Sequence, residues 1–389
     1  VGAGKASAPM AAAVSEIFGD RIAAGHVIVK YGYTTEGVHP NIVIHEAGHP
    51  IPDRAGWHAA QQLRDLLSQT GADDVVVCLI SGGGSALLTL PAGDISLEDL
   101  QETTKQLLSV GATINQVNTI RKHVSQIKGG QLASVAFPAR VHALILSDVV
   151  ADPLPIIASG PTVPDPSTFS QAWQILEQFH LVDKIPRPVV QWLSSGREGR
   201  IPETPTAEAP VFQQTFNTII GSNRIAAKAA VEAARQAGFE SELLSTFIEG
   251  EAREVGKIVA GLAKGLASDE SSLTRPACWV LGGETTVTLR GTGKGGRNQE
   301  MALAAALGIA GWPRLLIACL GTDGTDGPTD AAGAFADGET VASAKAVGLN
   351  AVNYLNNNDA YSFFEAISGL IKTGPTNTNV NDITLIFAA

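Results

Sequence analysis

Short apolar runs that stop at glycine-rich turns recur along the chain, and this pattern limits the fold more than any other feature. Asp74 to Ile80, apolar after its first residue, runs directly into Ser81-Gly-Gly-Gly-Ser85. Cys278 to Leu281 runs into Gly282-Gly-Glu284, and Leu315 to Leu320 into Gly321-Thr-Asp323-Gly-Thr-Asp326-Gly-Pro-Thr-Asp330. Helical segments lie between such runs, among them Ala6 to Phe18, Gly56 to Gln69, Arg224 to Ala237 and Ala252 to Ala267. A strand apolar on both faces must be covered on both, so the alternation predicts α/β architecture with mostly parallel sheets. Ligands of open α/β sheets bind at the carboxyl ends of the strands, where this chain concentrates its Gly, Ser and Asp.

At 389 residues the chain is long enough for two domains. The proline-rich segment Ile185 to Val211 is the best linker candidate. A net charge of −11 argues against nucleic acid as a general partner and requires local cationic pockets for any anionic ligand. Cys78, Cys278 and Cys319 each sit inside an apolar run without CxxC spacing, as reduced thiols of a cytoplasmic protein do. Neither a membrane-spanning run nor a signal peptide is evident, so no membrane partner is expected. Val1-Gly-Ala-Gly-Lys5 reads as the end of a strand and its turn, with the first strand itself expected to be missing.

Five stretches carry candidate chemistry. The loop Gly291-Thr-Gly-Lys294-Gly-Gly-Arg297 delivers two cations to the start of an Ala-rich helix near Asn298, an arrangement that attracts anions; the alternative is a hairpin loop that needs glycine. In Ser81-Gly82-Gly83-Gly84-Ser85 the backbone can approach a phosphate or carboxylate closely, or the segment is a tight turn with a serine cap. Lys5 opposes the helix dipole at its position, which makes sense if an anion arrives there, yet Ala6 excludes a Walker A motif. Arg121, Ser125 and Lys128 share one helical side, either as a solvated face or as a ligand surface. Asp323, Asp326 and Asp330 lie on a loop at a strand end, suited to Mg²⁺ or to a plain acidic turn.

His45-Glu46-Ala-Gly-His49 matches the HExxH string of zinc proteases. That chemistry needs a helix, whereas Asn41-Ile-Val-Ile44 reads as strand and Gly48 and Pro50 interrupt. A loop that brings His49 and Asp53 near a polar ligand is the better reading, beside a purely structural turn.

The ordered set Gly48-His-Pro-Ile-Pro-Asp53, Ser81-Gly-Gly-Gly-Ser-Ala-Leu87, Arg121-Lys-His-Val-Ser-Gln-Ile-Lys128-Gly-Gly130, Leu146-Ser-Asp148-Val-Val-Ala-Asp152, Ile157-Ala-Ser-Gly-Pro-Thr162, the Gly282 to Glu300 stretch, Gly321 to Pro328 and Thr373-Gly-Pro-Thr376 resembles the class II glycerate 2-kinases. Their C-terminal domain is called MOFRL, and many carried the older label hydroxypyruvate reductase. The similarity covers nearly the whole chain and departs at Asn377, where the family has glycine.

The resemblance implies ATP-dependent phosphorylation of D-glycerate at its 2-hydroxyl by two three-layer α/β domains with the active site in the cleft between them. Residues 1–205 would form a Rossmann-like domain and 206–389 a second α/β domain, its MOFRL segment at about 276–382. Lys5 and Arg297 would be the main catalytic cations, with Glu284, Asp323 and Asn379 around them. Asp323 and Asp326 are the Mg²⁺ candidates, and Ser81 to Ser85, His49, Arg121, Lys128, Asp148, Lys294 and Asn379 the substrate- and nucleotide-binding ones. A homodimer is left open. Two rival readings stand beside this one: an NAD(P)H-dependent hydroxypyruvate reductase, which wants a complete dinucleotide fingerprint, and a non-catalytic metabolite-binding protein.

Overall fold

A computed structural model of the chain describes residues 1–268 and 271–389. The chain divides into two compact units, one of residues 1–147 with 152–220, the other of residues 148–151 with 221–389.

The first unit holds a six-stranded sheet: β1 (Gly2–Ala3), β2 (Gly25–Lys30), β3 (Ile42–Ala47), β4 (Val75–Ile80), β5 (Arg140–Leu146) and β6 (Thr215–Gly221). Their spatial order is β3-β2-β1-β4-β5-β6, that of a dinucleotide-type doubly wound sheet, and the pairs from β3 through β5 are parallel. β1 is only two residues long yet holds the central place, and the Val1 ammonium donates to the Val77 carbonyl at 2.9 Å. Ala8, Ala11, Val27, Val29 and Leu79 close one core against this sheet.

A second, helical core of the same unit contains a correction to the linker reading. Ile185 to Val211 is not a linker, because Arg187–Arg197 is a helix whose Val189 and Leu193 are fully buried beside Leu176, Leu181 and Val117. Pro186 caps that helix and Pro188 lies in its first turn. A proline there lacks only an N–H that would have had no partner in the helix.

The second unit also has six strands: β7 (Glu240–Glu251), β8 (Ala277–Thr286), β9 (Leu315–Gly321), β10 (Gly333–Asp337), β11 (Leu370–Ile371) and β12 (Asp382–Ala388), ordered β11-β10-β9-β12-β8-β7. This sheet is mixed. β7 and β8 run parallel, while β12 lies antiparallel between β8 and β9 and β10 antiparallel to β9 and β11. Helices Ala252–Ala267 and Arg297–Ile309 cover one face around Val259, Met301, Leu303 and Phe363, and helix Asn223–Gln236 covers part of the other.

Gly282 and Gly283 do not form the expected turn. β8 runs straight through them, and Gly283 has φ +153° because β7 crosses so close that a Cβ would lie 2.0 Å from the Ile248 carbonyl oxygen. Glycine here serves close strand approach at a β-bulge. Among the described residues no helix is long and apolar enough to cross a membrane.

Candidate active site

The strand order of the first sheet reverses between β1 and β4, and their carboxyl ends are the topological switch point where doubly wound sheets bind ligands. Lys5 follows β1, and Ser81-Gly82-Gly83-Gly84-Ser85 follows β4. The two turns are tied together: the Lys5 N–H donates to the Gly82 carbonyl at 2.8 Å, and the Ala6 N–H to Ser81 Oγ at 3.0 Å. Gly4 (φ +144°) allows this, since a Cβ there would lie 2.1 Å from Ser81 Oγ. Ser81 is buried and also meets the Ser7 hydroxyl at 3.1 Å.

His49 joins this group across Gly83, where a Cβ would lie 3.0 Å from His49 Nε2 and 3.5 Å from Lys5 Cγ. His45 and Glu46 belong to β3, so the HExxH string forms no zinc helix; instead His45 Nε2 meets His26 Nδ1 at 2.8 Å. Burial, then the charges of Lys5 and Lys30, push the His49 imidazole down to about 4, so it is neutral at physiological pH. Lys128 stands at the Ser85 end of the same loop, where its Nζ donates to the carbonyls of Ser85 and Leu88, each at 2.7 Å, and the charge of Arg121 reaches it.

In the second unit the antiparallel insertion of β12 places its first residue beside the carboxyl ends of β8 and β9. Asp382 is in register with Gly283 on one side and Gly321 on the other. Glu284 lies near the carboxyl end of β8, Asp323 follows the end of β9, and Arg297 begins helix Arg297–Ile309. The Arg297 guanidinium grips Asp382 at two points, Nε to Oδ2 at 2.6 Å and Nη2 to Oδ1 at 3.0 Å, and reaches Glu284 Oε1 with Nη1 at 2.9 Å. Burial works against the charge of Arg297, but the Asp382 bond and the Asp382 and Glu284 charges outweigh it, so the guanidinium stays ionised. Asn381 Nδ2 donates to Glu284 at 3.4 Å, and Asn379 Oδ1 accepts the Asn381 N–H at 3.0 Å.

Sequence reasoning missed Asp382 because the strand-end rule inspects carboxyl ends of strands. The only available signal was an acidic residue at the start of an otherwise apolar strand, which becomes meaningful once that strand is known to run backwards.

The glycine-rich loop differs from expectation. Between Arg290 and Lys294 its N–H groups are not left open for an anion: those of Arg290 and Gly291 donate to Asn358 Oδ1, that of Gly293 to the Asn357 carbonyl and that of Lys294 to Asp359 Oδ1. Buried or half-buried N–H groups must find acceptors, and the tripeptide Asn357-Asn358-Asp359 supplies them. Asn358 Nδ2 in turn donates to Glu300, which is ion-paired with Arg253 at 2.8 Å. The Lys294 ammonium sits over the Tyr361 ring, 3.9 Å from its centroid.

Asp323 is half-buried and accepts the Thr325 N–H at 3.0 Å. Asp326 is buried, with both oxygens engaged at the helix start, where they accept the N–H groups of Asn298 and Gln299 at 3.1 and 2.8 Å. Burial pushes its carboxyl up to about 6 against those bonds. Asp148 lies in the short segment 148–151 that clusters with the second unit. Among the described residues no three His, Cys, Asp or Glu side chains converge as a metal cluster.

Residues 1–194 match a family described as a domain of unknown function, DUF4147, and residues 277–382 match the MOFRL family. The chain is 42% identical to the D-glycerate 2-kinase of Thermotoga maritima over 98% of this chain and 88% of that protein. It is 40% identical to a putative hydroxypyruvate reductase of Agrobacterium vitis, over 99% of this chain and 86% of the relative. The crystal structure of glycerate kinase from Thermotoga maritima superposes with a TM-score of 0.93 at 40% identity, covering 100% of this chain and 90% of that one. A DUF4147 segment followed by a MOFRL segment, on this sheet topology and at this identity over full length, places the chain in the glycerate 2-kinase family.

Proposed function

We propose that the protein transfers the terminal phosphoryl group of ATP to the 2-hydroxyl of D-glycerate, giving 2-phosphoglycerate and ADP. The observation that carries this reading is Arg297, a permanently charged guanidinium fixed on two carboxylates of the interior strands β8 and β12, in a chain belonging to the glycerate 2-kinases. Phosphoryl transfer asks a protein mainly for positioning and for charge neutralisation on the transferring group. Arg297 and Lys5 are the cations proposed to supply that charge. The oxygen of the 2-hydroxyl forms its bond to phosphorus as the bond to the ADP oxygen breaks. The proton leaves late in so loose a transition state, and Glu284, tied to Arg297, receives it.

Mg²⁺ when bound would neutralise charge on the nucleotide phosphates. Asp323 is the residue that fits it, since a single carboxylate plus phosphates and waters suffices for this ion and Asp326 is committed to the helix start. Lys294, held over Tyr361 on the glycine-rich loop, and Asn379 remain candidates for nucleotide contacts.

The reductase reading has weaker support. Ser7 stands where the dinucleotide fingerprint needs its third glycine, and its hydroxyl contacts the Leu79 carbonyl at 3.2 Å. Asp20, the acid that comes nearest the spacing the fingerprint requires, has a fully exposed side chain. A coupled assay of ADP release with ATP, Mg²⁺ and D-glycerate, run beside NADH oxidation with hydroxypyruvate, tests the choice. Glycerate-dependent ADP release without NADH oxidation is expected. NADH oxidation without ADP release would establish the reductase, and silence in both assays the binding role.

A further inference from the structure

Each buried cation among the described residues other than Lys128 faces a carboxylate: Lys122 faces Asp165 and Arg253 faces Glu300. Lys128 is 4% exposed and has only the two carbonyls of Ser85 and Leu88. Its neighbour Arg121, half-buried at the end of helix Ile114–His123, has neither a hydrogen bond nor an ion pair among the described residues. The two are close enough for the Arg121 charge to depress Lys128, whose ammonium burial already pushes down, to about 7 in all. Two neighbouring cations withdrawn from water without an acidic partner are costly, and an arriving anion relieves that cost.

The surroundings are built for a small polar ligand. Ser85 Oγ meets Ser159 Oγ at 2.7 Å, and Ser159 donates to Asn118, one turn before Arg121 on the same helix, at 3.2 Å. Ala158 and Ser159 both hold left-handed backbone angles, φ +50° and +62°, although neither is glycine. Strain of that kind collects where a loop must present its groups to a ligand.

We propose that Arg121 and Lys128, with the Ser85 and Ser159 hydroxyls, bind the carboxylate of the 2-hydroxy acid substrate and so select a carboxylate-bearing acceptor. This rests on the glycerate reading and names the residues that hold the substrate's acidic end. A carboxylate suits the site better than nucleotide phosphates for two reasons. The N–H groups of Gly84, Ala86 and Leu87 turn inward to the carbonyls of Ser81 and Gly83, leaving no cradle of amides from them. The planar guanidinium fork of Arg121 fits a carboxylate at two points, with the Lys128 ammonium beside it. Gly83, two residues before Ser85, is flanked by Lys5, the cation proposed for the phosphoryl group. The acid and the reacting hydroxyl of a three-carbon substrate are likewise neighbours.

Calorimetric titration of wild type, Arg121→Gln and Arg121→Lys with D-glycerate, glycerol and MgATP tests this, alongside steady-state kinetics. D-Glycerate should bind wild type and glycerol should not. Arg121→Gln should weaken D-glycerate binding and raise its KM about 10- to 100-fold, with MgATP binding and its KM unchanged, and Arg121→Lys should fall between. Retained MgATP binding shows that the variant is folded. Wild-type affinity for D-glycerate in Arg121→Gln, or loss of MgATP binding in a variant whose thermal unfolding is unchanged, overturns the assignment. Should wild type bind D-glycerate and D-lactate in an Arg121-dependent way without phosphorylating either, the carboxylate site stands and the kinase reading falls.

Discussion

Arg297 and Asp382, 85 residues apart in sequence, meet in a two-point ion pair in which the Asp382 side chain is 5% exposed and the Arg297 side chain 32% exposed. The pair therefore fixes the cation while leaving part of it accessible. Asp382→Asn should weaken the grip without emptying the space. A pair this far withdrawn from water makes a stability loss of about 1–3 kcal/mol reasonable, less than for full burial. Turnover should fall about 10- to 100-fold because the guanidinium is no longer held in place. Denaturant unfolding and initial rates check both, and unchanged turnover would remove Asp382 from the positioning of Arg297.

Lys5 differs in that its side chain is half-buried at the switch point and carries little of the core. Lys5→Met should therefore leave thermal unfolding nearly unchanged while lowering turnover by on the order of 10³-fold, the scale of losing a cation on a transferring phosphoryl group. A variant that keeps wild-type turnover would exclude Lys5 from the chemistry.

Asn358 accepts two loop N–H groups and donates to buried Glu300, at φ +52°. Asn358→Ala strands all three partners, so a loss of about 1–3 kcal/mol is expected. Protease cleavage should appear between residues 290 and 296, and turnover should drop with the displaced Arg297. A loop that stays resistant to protease would show that Asn357 and Asp359 suffice to clamp it.

Lys128 gives the protein a pH signature. It titrates at about 7 in the folded chain and near 10.5 once unfolded, so between these values the unfolded chain binds the extra proton. Stability should then rise with pH across that window and be lower below it. Lys128→Met should flatten the rise, as measured by urea unfolding at neutral pH and at pH 9.5. Equal slopes in the two proteins would show that the ammonium is not desolvated as drawn.

What the sequence reveals here follows from which physical rules are local. Apolar runs into glycine turns identify β4 and β9, and helix Ala252–Ala267 can be read off by periodicity because its buried face alone sets it. Lys5 and Arg297 stand out because cations at helix starts oppose the dipole. Asp382 does not, since its partner is fixed by an antiparallel strand insertion that no local pattern encodes. The same holds for Gly282-Gly283, whose small size answers to a neighbouring strand, and for Asn357 to Asp359, which meet the glycine loop only in three dimensions. Prolines at 186 and 188 mislead for a simpler reason: a helix start and a linker make the same use of a residue without an N–H.

The central position of β12 also orders events during synthesis. The sheet of the second unit has a gap between β8 and β9 until residues 382–388 have left the ribosome, whereas the first unit, complete by residue 220, is free to fold long before. Because β12 carries Asp382, Arg297 gains its two-point anchor only as that gap is filled. A nascent chain stalled before β12 would thus present an unclosed strand pair and an untethered guanidinium, and the proposed phosphoryl transfer would wait on that one strand.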